Sequence, residues 1–77
     1  MVNDKERYIV VVNYGPEFPC VRHIVKHNKS ETLEEFKKWY YSQYMELPND
    51  EFHPIFGLNN AYAFQKYWTE RYVYGKG

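Results

Sequence analysis

Cys20, His23 and His27 form a C-x2-H-x3-H run, with His53 as a fourth ligand further along the chain; these side chains invite chemistry first. Zinc takes thiolate and imidazole ligands in tetrahedral sites whose members come in close pairs. The spacing fits that geometry poorly. Residues 20–28 (CVRHIVKHN) read as a strand, and strand side chains alternate between faces, so Cys20 and His23 are expected on opposite faces. The second half of a zinc knuckle is missing. The same residues would supply a cysteine–histidine nucleophile pair, but no third orienting group or oxyanion site accompanies them as a motif. The sequence also lacks a P-loop, a dinucleotide fingerprint, H-E-x-x-H and G-x-S-x-G. The expectation is therefore a protein that is not an enzyme and holds no metal or cofactor. Cys20 is then a small buried thiol, and His23 and His27 face solvent.

Aromatic side chains are the larger signal. Nine Tyr, five Phe and two Trp make up 21% of the chain, and each buried one can remove roughly 150–250 Å² from water. Leu33, Phe36, Tyr40, Tyr44 and Leu47 recur at spacings of three and four, as do Ala61, Phe64, Trp68 and Tyr72. Each set is one face of a helix and is assigned to the core. Trp39 and Tyr41 flank the first stripe on opposite sides, and Tyr67 and Tyr74 make a second stripe on the second helix. Exposed Tyr and Trp are large, rigid and amphipathic, which suits them to interfaces. Trp39, Tyr41, Tyr67 and Tyr74 are therefore the expected partner-binding residues. The alternative is base stacking beside cations, with Lys66, Trp68 and Arg71 as a nucleic-acid-binding set.

Charge separates the two. Ten Lys and Arg balance ten Asp and Glu, whereas phosphate binding draws on a surplus of cations. Residues 31–51 hold six acids against Lys37 and Lys38, so the first helix would sit badly beside a phosphate backbone. A protein partner is expected and nucleic acid is not.

The elements that must position these residues follow from local patterns. Residues 7–14 (RYIVVVNY) are β-branched and aromatic, hence a strand, and both of its faces are apolar, which suits a strand buried on both sides or covered by a partner. Residues 15–19 (GPEFP) read as the loop of an antiparallel hairpin. Helix one begins near Ser30 or Thr32, because Thr32-Leu33-Glu34-Glu35 fits a capping box, and Pro48 stops it. Residues 48–58 (PNDEFHPIFGL) read as an irregular loop anchored by Phe52, Ile55 and Phe56. Helix two starts at Asn59 or Asn60 as N-cap and ends at Gly75, with RYVYG read as helix rather than strand. The expected fold class is α+β: one domain over residues 1–77, an N-terminal antiparallel β-hairpin followed by two helices packed on one face, in the order β-β-α-α.

A single cysteine rules out a disulfide within the chain, and a chain of 77 residues is near the lower limit for folding without a staple. The apolar strand and the open hairpin edge lead to an expected homodimer. No secretory leader or membrane span is read, so the cytoplasm is the expected compartment. Scarcity of Ala beside plentiful Asn, Lys, Tyr and Phe suits an AT-rich coding source such as a phage or mobile element. The concrete expectation is a small inhibitor or adaptor that binds and blocks a larger host protein.

Overall fold

The computed structural model describes residues 6–15, 19–28 and 30–74. Strand β1 (Arg7–Asn13) lies in the middle of a three-stranded antiparallel sheet of order β2-β1-β3, between β2 (Cys20–His27) and β3 (Asp50–Phe56). Helix α1 (Leu33–Gln43) precedes β3, and α2 (Leu58–Trp68) follows it. The order is thus β-β-α-β-α, which corrects the expected β-β-α-α. Residues 48–58 are not an irregular loop. Their central seven pair with β1 in continuous register, from Arg7 opposite Phe56 to Asn13 opposite Asp50. Pro54 disguises this strand, since a residue without an N–H is tolerated only at a sheet edge, which is where β3 lies.

The apolar faces of β1 decide the layering. Ile9 and Val11 pack with Phe36 and Tyr40 of α1, and Val25, Leu33, Tyr41 and Phe52 close the rim. Val10 and Val12 pack with Ala61 and Trp68 of α2, beside Val21, Ile24, Ile55 and Phe64. The helices therefore cover opposite faces of the sheet, not one face as expected. All four residues from Ile9 to Val12 are fully buried, and burial of each such side chain is worth roughly 1.5–3 kcal/mol. A strand apolar on both faces is what a middle layer requires.

Helix α1 starts as the sequence indicates. Thr32 Oγ1 accepts from the Glu35 N–H at 3.1 Å, and the Glu35 carboxylate accepts from the Thr32 N–H at 2.8 Å. It ends at Gln43, so Leu47 lies beyond it and Tyr44 is its C-cap. Helix α2 has its N-cap two or three residues earlier than the expected Asn59 or Asn60. Gly57 is its N-cap, with φ 88°, a conformation that favours glycine; its N–H donates to the Glu6 carbonyl at 2.7 Å and ties the turn to β1.

RYVYG is helical through Val73, Tyr74 is the C-cap, and Gly75 lies outside the described residues. Residues Thr69–Val73 form a π-helical turn, closed by the Tyr74 N–H donating to the Thr69 carbonyl at 3.1 Å. A π turn holds one residue more than an α turn. The extra residue lets both Tyr72 and Val73 reach the sheet side. Tyr72 stacks near Trp68 and Tyr14, with ring centroids 5.3 and 5.2 Å away, and Val73 joins the cluster beneath α2.

The Cα extents are 39 × 31 × 14 Å. Three strands span about 10 Å from first to last, whereas a helix–sheet–helix stack needs about 20 Å. The shortest dimension therefore runs across the strands. The protein is a slab whose broad sides carry the two sheet edges.

Candidate binding surface

Strand β2 contains the first surprise for the sequence reading. Val11 pairs with His23 and Val12 with Val21, so Arg22 is an extra residue in a β-bulge. A bulge sets two residues against one and breaks the alternation of faces. Arg22 and His23 both come to the α1 side. His23 Nδ1 shares a 2.7 Å hydrogen bond with Tyr40 Oη, and its ring lies 4.3 Å from that of Tyr44. The Arg22 guanidinium stands 5.2 Å from the centre of the Tyr40 ring. Strict alternation, the argument that set Cys20 and His23 on opposite faces, does not hold across this bulge.

Arg22 leads to Asp50, the first residue of β3. The Asp50 carboxylate accepts from Arg22 Nη1 at 2.6 Å, Asn13 Nδ2 at 2.7 Å, Tyr41 Oη at 2.9 Å and the Leu47 N–H at 3.2 Å. Its side chain is 2% exposed. Arg22 also donates to the Met45 carbonyl at 2.8 Å, and Asn13 to the Pro48 carbonyl at 2.9 Å. Three of these donors converge on Oδ2 and Asn13 Nδ2 meets Oδ1, so the buried carboxylate ties together four segments of the chain. The arrangement does structural work: it pins the chain between α1 and β3 onto the sheet. Tyr41, expected at a partner interface, is instead half-buried in this network.

Burial raises the pKa of both phenols on this side. For Tyr41 the hydrogen bond and negative charge of Asp50 add to burial; for Tyr40 the nearby Arg22 cation works against it. An unfolded tyrosine ionises near pH 10. The folded state holds its proton longer, so this stabilisation is complete below about pH 10 and is lost as pH rises through the folded values. Stability is therefore expected to fall steeply above about pH 10. In a phenolate absorbance titration, Tyr40 and Tyr41 should ionise only together with unfolding. Free ionisation of all nine tyrosines with the circular dichroism intact would contradict it.

The histidine and cysteine residues do not converge. Cys20 and His27 stand at opposite ends of β2, seven residues and about 23 Å apart at the usual strand rise. Cys20 is exposed, against the expectation of a buried thiol. His27 is buried against Phe36 rather than solvent-facing, and His23 is half-buried. His53 lies on the α2 side, 5.0 Å from the Phe64 ring and bonded to Glu51 at 3.0 Å. Among the described residues no group of three or more His, Cys, Asp or Glu is placed to hold a metal ion.

The other expected site residues are scattered by the layering. Trp39 is exposed on α1 and Tyr67 is exposed on α2, on opposite sides of the sheet. Tyr67 and Tyr74, seven residues apart, would share a stripe on an unbroken α-helix. The π turn separates them. Tyr74 swings to the side of Tyr62, and the two line a shallow groove of about 330 Å³ with Gln65, Lys66, Thr69 and Glu70. Tyr67 stays on the other flank near Arg71. In the nucleic-acid set, Lys66 and Arg71 are exposed, but Trp68 is 1% exposed beneath Tyr14 and Tyr72 and offers no face to a base. Sequence reasoning left Tyr62 unassigned. Its position twelve residues before Tyr74 matches no α-helical stripe until the extra residue is counted.

Compared with models of known families, with characterised proteins and with solved structures, the chain matches none. No helix of the described residues is long and apolar enough to cross a membrane.

Proposed function

We propose that this protein is a non-catalytic protein-interaction module that engages its partner through the tyrosine-lined groove on α2 and the π turn. One observation carries the reading. Tyr62 and Tyr74 remain 54% and 78% exposed while the core beneath them is already closed by Ala61 and Trp68. Their exposure serves no packing purpose within the chain. Large aromatics beside polar groups are the usual anchors of protein interfaces. The groove carries one cation, Lys66, and one anion, Glu70, which suits a protein surface of mixed charge better than a phosphate backbone. The concrete form is a small inhibitor or adaptor that covers a functional surface of a larger protein.

The test uses a partner captured from the source cell. Tyr62→Ala and Tyr74→Ala should keep the parent's circular dichroism and melting temperature. Each should weaken partner binding by about 2 kcal/mol or more, the size of an interface hot spot. Binding should tolerate a rise from about 50 to 200 mM salt, over which phosphate contacts lose orders of magnitude in affinity. Unchanged partner affinity in both variants would remove the groove from the interface. Salt-sensitive capture of single-stranded nucleic acid, weakened by Lys66→Ala, would favour the alternative.

A further inference from the structure

A rectangle of 39 by 31 Å, about 1,200 Å², bounds each broad side of the slab, so a side has room for the roughly 800 Å² per partner of a specific interface. Each broad side has a sheet edge running through it, and the two edges differ. On β3, Pro54 sits mid-strand and interrupts the row of donors, a common defence against strand addition. Strand β2 has no proline, its bulge at Arg22 leaves residues 23–27 as an unbroken stretch of edge, and among the described residues no strand lies beyond it.

Helix α1 adds apolar surface to the same side. It lies over β1, touching Val25 of β2 and Phe52 of β3. Tyr41 and Lys37 turn toward Phe52, so Trp39, about 200° from Lys37 around the helix, turns toward β2. Tyr44 stacks on His23 of β2, and the Met45 carbonyl bonds Arg22 of β2. Trp39, Tyr44 and Met45 are 43%, 39% and 73% exposed. An open edge is thus bordered by three large side chains that the fold leaves uncovered.

Charge permits two such edges to meet. The cations Arg22 and Lys26 of β2 are matched within the chain, by Asp50 at 2.6 Å and Glu6 at 3.0 Å. The protein carries no net charge to oppose association. We propose that β2 is a self-association edge. A second copy of this chain pairs antiparallel to it across a two-fold axis, and the two sheets become one of six strands. Such an interface is self-complementary by symmetry. Two β1 strands would then stand about 14 Å apart, three strand spacings, with an α1 helix above each. Packed helices ordinarily approach to 8–10 Å. The wider gap is what Trp39 and Tyr44 of both copies are large enough to fill.

This inference does not depend on the α2 groove, and the experiment keeps the two apart. Sedimentation from low micromolar to near millimolar concentration should show the parent passing from monomer to dimer. Over the same range, exchange should slow at those alternate amides among Ile24, Val25 and Lys26 whose N–H points away from β1. Met45→Glu and Trp39→Glu should shift the midpoint at least tenfold upward with circular dichroism unchanged, whereas Tyr62→Ala should not move it. Met45→Glu suffices should Trp39→Glu fail to fold. A parent that stays monomeric near millimolar concentration overturns the proposal, including the case in which a different protein then protects the β2 amides. So does a dimer that Met45→Glu leaves intact, or one that forms without slowing exchange in β2.

Discussion

Asp50→Ala is expected to cost about 3–5 kcal/mol of folding free energy, the usual result of removing one partner from a buried ion pair. Most domains have only 5–15 kcal/mol to lose, so the variant should be largely unfolded near body temperature. The loss would not come from a single contact. Arg22, Asn13, Tyr41 and the Leu47 amide all donate to this carboxylate, and Arg22 is left cationic with its side chain 11% exposed. A second variant separates the pair from the site. Removing Arg22 as well should cost less than the sum of the single losses, because no charge is then stranded. Urea unfolding of the two single variants and the double variant measures this. A loss below about 1 kcal/mol for Asp50→Ala would mean that the chain between α1 and β3 is held by something else.

Trp68→Ala should match that effect from the opposite layer. The indole is almost fully buried beneath Tyr14 and Tyr72, against Val10 and Val12. Truncating a buried Trp or Phe to Ala costs about 3–5 kcal/mol. For a domain of this size, 3 kcal/mol lowers the melting temperature by roughly 12–24 °C. Phe36→Ala, buried on the α1 side, should cost about as much. Phe64→Ala should cost less, since Phe64 is only half-buried. The sites lie on opposite faces of one sheet, so the Trp68 and Phe36 losses should add. A Trp68→Ala melting temperature equal to the parent's would contradict the three-layer core.

Local signals were legible in the sequence. The β-branched run gave β1, the capping box gave the first residue of α1, and the three-and-four stripes gave Phe36, Tyr40, Ala61 and Trp68 as core. The apolar character of both faces of β1 correctly suggested burial on both sides, and the cover is the chain's own α1 on one face and α2 on the other. What stayed hidden depended on single residues that break a period. Pro54 made an edge strand look like a loop. The surplus residue at Arg22 shifted the faces of β2, and so undid the argument about Cys20 and His23. The surplus residue in the π turn moved Tyr74 away from Tyr67. The Asp50 network was invisible for another reason. Its members lie up to 37 positions apart, and pairing at such distance is set by strand register, which no local pattern encodes.

The π turn also fixes how this surface can vary over time. Which aromatics stand together on α2 is decided by residue count as much as by residue type. Exchanging one side chain at the groove alters a contact and leaves its neighbours in phase. Relaxing Thr69–Val73 to an ordinary pitch with its length kept would bring Tyr74, seven residues on, into phase with Tyr67, whereas deleting one of these residues would leave Tyr62 and Tyr74 eleven apart, about 20° from one stripe. The groove thus tolerates a three-nucleotide deletion within the turn and is lost when the turn relaxes at full length. That asymmetry would be written as chains of two lengths, one with the π turn and one a residue shorter without it, carrying the same pair of tyrosines.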